Sequence, residues 1–295
     1  MSMKNVLMNF IILLICVLII FTAVTNKQLF NHNIEILNIW LCKVFPPVFN
    51  FYVIISLLIH FNILNKILVI FKPFKKILGF DTDQGLYLFL ISFLIGNPSS
   101  SSIITNSFNN NEITVNDYYK IINSVSFPSL LFILSLYNNY VYSFIIILSM
   151  IFSSLVCLFL PINLNCITKS RTIVTEPNKQ IANIFINGIS ITLVIAAIMC
   201  FSSSIIFSLN YIKLPPIFTS ILELCNGIFI IKKTNLSFII ELALISFLLS
   251  FNGFSIHLQV FANNINVKYY VFLFYRFVSG LLSFLFSILI YYLIF

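Results

Sequence analysis

The chain has 295 residues, 60% of them hydrophobic and 8% charged, with a formal net charge of +8. Soluble domains carry about 25% charged residues, so this composition cannot clothe a water-exposed surface and excludes a soluble enzyme. The positive balance does not point to nucleic acid, because the lysines flank apolar runs and form no basic face; such lysines mark loops retained in the cytoplasm.

In chain order, the first apolar run, Val6 to Val24, is too long for a secretory-signal core and has no clear small-x-small cleavage site. It reads as an uncleaved span over about Asn5 to Val24, followed by a polar stretch, Thr25 to Glu35. A second span is expected over Val44 to Leu64, with Pro46 and Pro47 opening it, since proline's missing N–H is not needed in a first helical turn. A basic connector holds Lys66, Lys72, Lys75 and Lys76, broken by Pro73. The apolar segment Gly85 to Ile95 then runs into Gly96, Asn97, Pro98 and the serines Ser99 to Ser102. A helical crossing needs about 20 apolar residues, so this segment is too short to cross. It is expected to be a re-entrant or broken helix, which is tolerated at membrane depth only where protein or water covers the open backbone.

The polar linker Asn109 to Asp117 leads to a segment from Tyr118 to Leu136, broken by Pro128, and then to a span over Val141 to Leu160. The loop Asn163 to Gln180 is the most polar stretch and carries Lys169, Arg171, Glu176 and Lys179. It divides the chain into a first membrane half (1–162), a cytoplasmic loop (163–180) and a second membrane half (181–295). The second half opens with a span over Ile181 to Leu209. A segment led by Pro215 and Pro216 runs to Ile231 and closes with Lys232 and Lys233. The segment Leu236 to Leu249 breaks at Asn252 and Gly253, a mixed stretch runs to Ala262, and a last span covers Tyr269 to Phe295. The fold class is thus an all-α polytopic membrane protein of about eight transmembrane or re-entrant helices. Lysine placement puts the N-terminus, the Lys66–Lys76 connector and the Lys169–Lys179 loop on the cytoplasmic side. The six cysteines form no Cys-x-x-Cys pair and read as small core residues.

Several landmarks recur in order. Phe45-Pro46-Pro47-Val48-Phe49 is echoed by Leu214-Pro215-Pro216-Ile217-Phe218, and Leu90-Ile91-Ser92-Phe93-Leu94 is repeated letter for letter at Leu244-Ile245-Ser246-Phe247-Leu248. Each LISFL is followed by a glycine, Gly96 or Gly253, in a Ser/Asn-rich turn, and Tyr118-Tyr119 is matched by Tyr269-Tyr270. An internal repeat is therefore expected. Paired Gly/Pro-interrupted segments in corresponding halves point to a transport site near the midplane; the bland alternative is two kinked structural helices.

Ionisable groups cost at least about 2.5–3.5 kcal/mol at the bilayer centre, so those that remain are candidates for a task. Glu223 shares a helical face with Thr219, Asn226 and Gly227 by i+4 and i+3 spacing, a stripe that can line a polar cavity. Glu241 and Arg276 are expected to pair. Arg276 heads a stripe of Ser279, Gly280, Ser283 and Ser287 suited to close helix packing. Asn97, Ser99 and Ser101 on the first broken segment, and Asn252, Ser255, His257 and Gln259 on the second, complete the candidate solute-binding set. Gly96, Pro98, Pro128, Gly227 and Gly253 shape the backbone. Open half-helix ends bind ions or polar solutes. For His257 and the serines the structural alternative is interior packing. No phosphate loop, His-Glu-x-x-His or Gly-x-Ser-x-Gly is present, and no metal, cofactor or catalytic residue is expected.

The residues Gly96-Asn97-Pro98-Ser99, the linker Asn109–Asp117, Pro215 to Gly227 with Glu223, and above all Ser250-Phe251-Asn252-Gly253-Phe254-Ser255-Ile256-His257-Leu258-Gln259 with Tyr275-Arg276 carry a family resemblance. The chain resembles the YlbJ-type sporulation integral membrane proteins, which hold the nucleoside-recognition or Gate domain. It departs from them in having Asn252-Gly253 in place of Gly-Gly and Leu224-Cys225 in place of Met-Thr. The resemblance implies a role in late endospore formation, at the cell membrane or the membranes around the forespore, in making the spore cortex. It also implies kinship to nucleoside-transporter-like folds. The expected function is a transporter or exporter of a small polar solute; the competing reading is a non-transporting assembly component of the spore envelope. Expected partners are the lipid bilayer, the solute, a coupling ion and a second copy of the chain in a homo-oligomer, with no nucleic acid.

Overall fold

The structure is a computed structural model that describes residues 3–61, 63–125, 128–134, 136–137, 139–161, 181–211, 221–234, 236–263 and 265–295, leaving aside the side chains of 3–12, 65, 131, 211 and 226. Helices joined by short turns and loops make up these residues. Helix α1 spans Met3–Thr25, α2 Gln28–Ile39, α3 Phe45–His60, α4 Ile63–Leu68, α5 Phe74–Leu78, α6 Asp83–Ile95, α7 Ser99–Asn109 and α8 Val115–Ser124. They are followed by α9 Leu130–Leu134, α10 Tyr140–Leu158, α11 Ile181–Tyr211, α12 Leu224–Lys233, α13 Phe238–Phe251, α14 Gly253–Ala262 and α15 Tyr269–Ile294. Among the described residues five helical stretches are long and apolar enough to cross a membrane: Gln28–His60, Tyr140–Leu158, Ile181–Asn210, Phe238–Ala262 and Tyr269–Ile294. The loop 163–180 and the prolines Pro215 and Pro216 lie outside the described residues.

Helices α10, α13 and α15 pack closely against one another. Their contact faces are built from small hydroxyls: Ser149 Oγ lies 2.7 Å from Ser246 Oγ and 3.1 Å from Ser283 Oγ, and Ser246 and Ser283 are 2.6 Å apart. Ser153 and Ser279 meet at 3.2 Å. Gly280 accommodates the Phe247 ring, which would stand 3.0 Å from an added Cβ. On α15, Ser279, Ser283 and Ser287 are fully buried while Leu281, Leu285 and Leu289 point outward, with Leu285 61% exposed. This is the reverse of a water-soluble helix and follows when lipid is the solvent, because hydrocarbon gives apolar side chains no reason to hide.

A second layer packs α11 against α1 and the rod α2–α3. The contacts run antiparallel: Thr22 to Ser208 at 2.8 Å, His32 Nε2 to Ser203 Oγ at 2.6 Å, Asn33 Nδ2 to Ser204 Oγ at 2.9 Å, and Trp40 Nε1 to the Thr192 carbonyl at 3.1 Å. The polar stretch Thr25 to Glu35 is mostly helical and supplies His32 and Asn33 to the bonds with α11.

The interruptions have individual causes. Pro46 and Pro47 stand in the first turn of α3, as expected, but α3 continues α2 through a π turn, so that Gln28–His60 is one continuous rod. Without their N–H groups the carbonyls of Cys42 and Lys43 lose the usual i+4 donors. The chain responds with a π turn over Trp40–Val44, closed by the Phe45 N–H on the Trp40 carbonyl.

The first broken segment turns back. Thr82 caps α6 by accepting the Gly85 N–H, and Thr114 caps α8 by accepting the Asp117 N–H. Fully buried Asp117 accepts the Asp81 and Thr82 N–H groups at 2.8 and 2.9 Å, and Asp81 accepts from Thr114 and Asn116. The start of α6 and the end of the α7–α8 connection therefore lie side by side, and α6–α7 is a helical hairpin. Gly96 at its tip (φ 73°, ψ 167°) rests against the backbone of Pro128 and Ser129, where α8 gives way to α9.

The second broken segment does not turn back. Asn252, at φ 77°, kinks the rod, but α13 and α14 both run antiparallel along α15. Gly253 packs against the backbone of Ile221 to Leu224. The two LISFL stretches thus feed differently shaped elements, one a hairpin and one a kinked rod.

Two side-chain expectations are corrected. Glu241 and Arg276 do not pair: Ser246 stands opposite Ser283 and Phe247 opposite Gly280, a register that separates Glu241 and Arg276 by roughly 16 Å along the helices. Instead Glu241 accepts from the Tyr137 hydroxyl at 3.3 Å. Arg276, wholly buried, donates to the Asn123 carbonyl and stacks its guanidinium 5.4 Å over the Phe272 ring. The cysteines are not uniformly core residues: Cys157 is buried, Cys16 and Cys42 face outward, and Cys166 lies outside the described residues.

Candidate functional site

The interruptions converge. A cavity of about 70 Å³ is lined by Lys43 and Val44 from the π turn, Pro47 and Val48 from the first turn of α3, Asn97 and Pro98 from the hairpin tip, and Pro128 and Ser129 from the α8–α9 break. Glu223, Leu224 and Cys225 at the start of α12, Ser255, Ile256 and Gln259 on α14, and Ile195 and Met199 on α11 close it. A volume of that size holds roughly five waters, so the pocket suits an ion or one polar group of a larger solute.

Of the residues picked from sequence, Asn97, Pro98, Pro128, Glu223, Ser255 and Gln259 stand together in this wall. Ser255 and Gln259 are one turn apart on α14, which presents both to the cavity. Asn97 Oδ1 also accepts from Ser100 Oγ at 2.8 Å and so steadies the first turn of α7.

Glu223 sits at a helix start, not within a helical stripe. The helix is interrupted at Glu223 and resumes at Leu224, and the Glu223 carboxylate accepts the Cys225 N–H at 3.0 Å. A carboxylate there is stabilised by the unpaired N–H groups and the positive end of the helix dipole. Of the expected face, Gly227 is tied in by its N–H on the Glu223 carbonyl at 3.0 Å. Thr219 and the Asn226 side chain lie outside the described residues.

The other picks lie off the cavity. Ser99 is buried away from it. Ser101 donates to the Pro98 carbonyl at 2.6 Å. Asn252 is buried at the kink, where its left-handed backbone is one that asparagine tolerates better than most residues. His257 is enclosed by Phe251, Phe254, Tyr269 and Phe272. Its Nε2 lies 2.7 Å from the Phe251 carbonyl; a carbonyl only accepts, so Nε2 carries the proton and Nδ1 is left to face the Tyr269 hydroxyl at 3.4 Å. That bond replaces part of what the kink takes from α13, and it makes His257 a wall stud of the kink.

Two residues of consequence escaped the sequence reading. Asn263, just past α14, donates through Nδ2 to the Pro98 carbonyl and to Ser101 Oγ, each at 2.9 Å; it fastens the kinked rod to the hairpin tip. No pattern marks it, because it reads as one of several loop asparagines. Lys43 lines the cavity from the π turn; a lysine three residues before a Pro-Pro pair was the available signal.

Comparisons of the chain with protein-family models, with curated proteins and with solved structures find no match in any of the three.

Proposed function

We propose that the chain is a membrane carrier that binds a small polar solute where its helix interruptions meet. The observation that carries this reading is the shared cavity: residues from the π turn, the hairpin tip, the α8–α9 break, the α12 start and the kinked rod all face it. Open backbone at such points is stable in a membrane only when lined by protein or water, and convergence of several breaks on one pocket is the arrangement of secondary carriers. The resemblance noted in the sequence, to YlbJ-type sporulation membrane proteins, supplies the setting: a bacterial membrane, at the cell surface or around the forespore, with the solute serving cortex formation. The LISFL landmarks are consistent with two ancestrally related halves whose geometry has since diverged.

The test is transport by purified protein in liposomes. Radiolabelled small solutes are screened for uptake with the parent chain, Glu223→Ala and Gln259→Ala, with Lys66→Ala as the variant away from the cavity. The carrier reading expects uptake that both cavity variants lose and Lys66→Ala retains. Uptake unaffected by both cavity variants refutes it.

A further inference from the structure

Between α3 and α6 lies a stretch too short and too broken to cross a membrane. A crossing needs about 20 apolar residues in one helix. Residues 63–78 form instead two short helices, α4 and α5, parted by a 3₁₀ turn over Val69–Phe71 and by Pro73. One side of the stretch is turned into the protein, where Leu64 and Leu68 are buried. The other side is apolar and uncovered: Ile67, Ile70, Phe74 and Ile77 are exposed, Ile70 by 75% and Ile77 by 66%. Their spacing of three and four residues gathers them into one stripe. Lys66, Lys72, Lys75 and Lys76 are threaded through the same residues.

The charges separate this face from the apolar flanks of the long helices. Over residues 63–83 four lysines stand against two aspartates, Asp81 and Asp83. Asp81 is taken up by the Thr114 and Asn116 side chains at 2.9 and 3.0 Å. Asp83, the first residue of α6, holds Lys72 at 2.9 Å and Lys75 at 3.0 Å. Lys66 and Lys76 are exposed and have no partner among the described residues. The stripe needs hydrocarbon and the two ammonium groups need anions. Both needs are met at once where acyl chains end and headgroups begin, the setting of basic amphipathic segments that lie on a membrane.

We infer that residues 63–78 lie in the plane of the membrane surface and hold anionic lipids, with Ile67, Ile70, Phe74 and Ile77 among the upper acyl carbons and Lys66 and Lys76 on the headgroup phosphates. Clusters of lysine beside a span attract acidic lipid in this way. Through Lys72, Lys75 and Asp83 the seated stretch is fastened to the start of the α6–α7 hairpin. The inference is independent of the carrier reading.

The experiment uses the full-length protein in phosphatidylcholine liposomes with a minor share of phosphatidylglycerol. Phe74→Trp places a fluorophore in the stripe, and its signal is read against the parent, whose one tryptophan is Trp40. Bromine on the acyl chains quenches it by contact. Bromine high on the chain is expected to quench more than bromine near its end. Brominated phosphatidylglycerol is expected to quench as though enriched about three-fold or more over brominated phosphatidylcholine at equal mole fraction, with the excess shrinking as salt rises. Lys66→Gln combined with Lys76→Gln is expected to abolish that enrichment. Lys27→Gln, at the opposite end of the rod Gln28–His60, is expected to leave it intact; parent-like circular dichroism melting certifies the fold of each variant. Inorganic phosphate is expected to act no more strongly than chloride of equal ionic strength. Absence of quenching by either lipid, or quenching that grows towards the chain end, overturns the surface placement. Equal quenching by the two lipids, or enrichment that survives the paired lysine variant, overturns the recognition of anionic lipid. Enrichment abolished by inorganic phosphate but not by matched chloride assigns the lysines to free phosphate and overturns the lipid as their ligand.

Discussion

Replacing Gly96 by alanine tests whether the hairpin tip is locked against the α8–α9 break. The glycine lies at φ 73° and ψ 167°, a region open in practice only to glycine, where another residue costs of order 1–3 kcal/mol. An added Cβ would stand 2.3 Å from the Ser129 nitrogen and 2.5 Å from the Pro128 carbonyl carbon. Both are backbone atoms that cannot rotate aside, and overpacking of this kind costs about 1–3 kcal/mol more. The combined penalty is about 2–6 kcal/mol. Gly253 is the internal control. Its φ is 62°, but the nearest atom to an added Cβ is the Ile221 carbonyl oxygen at 3.2 Å, which needs only a small shift, so Gly253→Ala should cost about 1–2 kcal/mol, the left-handed penalty alone. Equilibrium unfolding of detergent-purified protein in rising SDS, followed by Trp40 fluorescence and circular dichroism, measures both. The reasoning is refuted if Gly96→Ala falls within about 0.5 kcal/mol of the parent, the usual range of a surface change, or if Gly253→Ala proves the more damaging of the two.

Three further outcomes are expected. Asn263→Leu removes the tie to Pro98 and Ser101 and should lower stability by about 1–2 kcal/mol in the same titration, since the Pro98 carbonyl keeps the Ser101 hydroxyl as a donor. Glu241→Gln and Arg276→Gln should act independently, the double variant equalling the sum of the singles within about 0.5 kcal/mol; a coupling above about 1 kcal/mol would restore the pair. Hydrogen bonds and charge from Lys72 and Lys75 hold the Asp83 carboxyl below its ordinary range. Its protonated form is then favoured in the unfolded chain, so its contribution is present above the ordinary carboxylate range and fades as pH falls below it. The stability gap between parent and Asp83→Asn should therefore shrink on acidification, and a gap constant from neutral pH to pH 3 contradicts the assignment.

The apolar spans were legible because their signal is bulk composition, and the breaks at Gly96–Pro98, Pro128 and Asn252–Gly253 were legible because glycine, proline and asparagine act locally on the backbone. The stripe of Ser279, Gly280 and Ser283 was readable for the same reason, as a helical period. What sequence could not supply was direction and register. Whether the segment after Gly96 returns or crosses is decided by Asp117, a linker residue whose burial comes from contacts some 35 residues away in the chain. The Glu241–Arg276 pairing was proposed from charge alone and failed on helix register. Glu223 was correctly singled out as an unusual carboxylate, but its place at a helix start depends on a break that no proline or glycine announces.

The length of α6 acts as a ruler. Both ends of the hairpin are clamped through Asp117, so the 13 residues of α6 set how deep Asn97 and Pro98 reach, about 20 Å from the clamp. One inserted residue would lower the tip by about 1.5 Å and swing it by about 100°, carrying Asn97 out of the pocket. Length variation in this helix is therefore tolerable only in whole turns, and each such step would move the pocket's floor relative to Glu223 and Gln259 on elements that stay put.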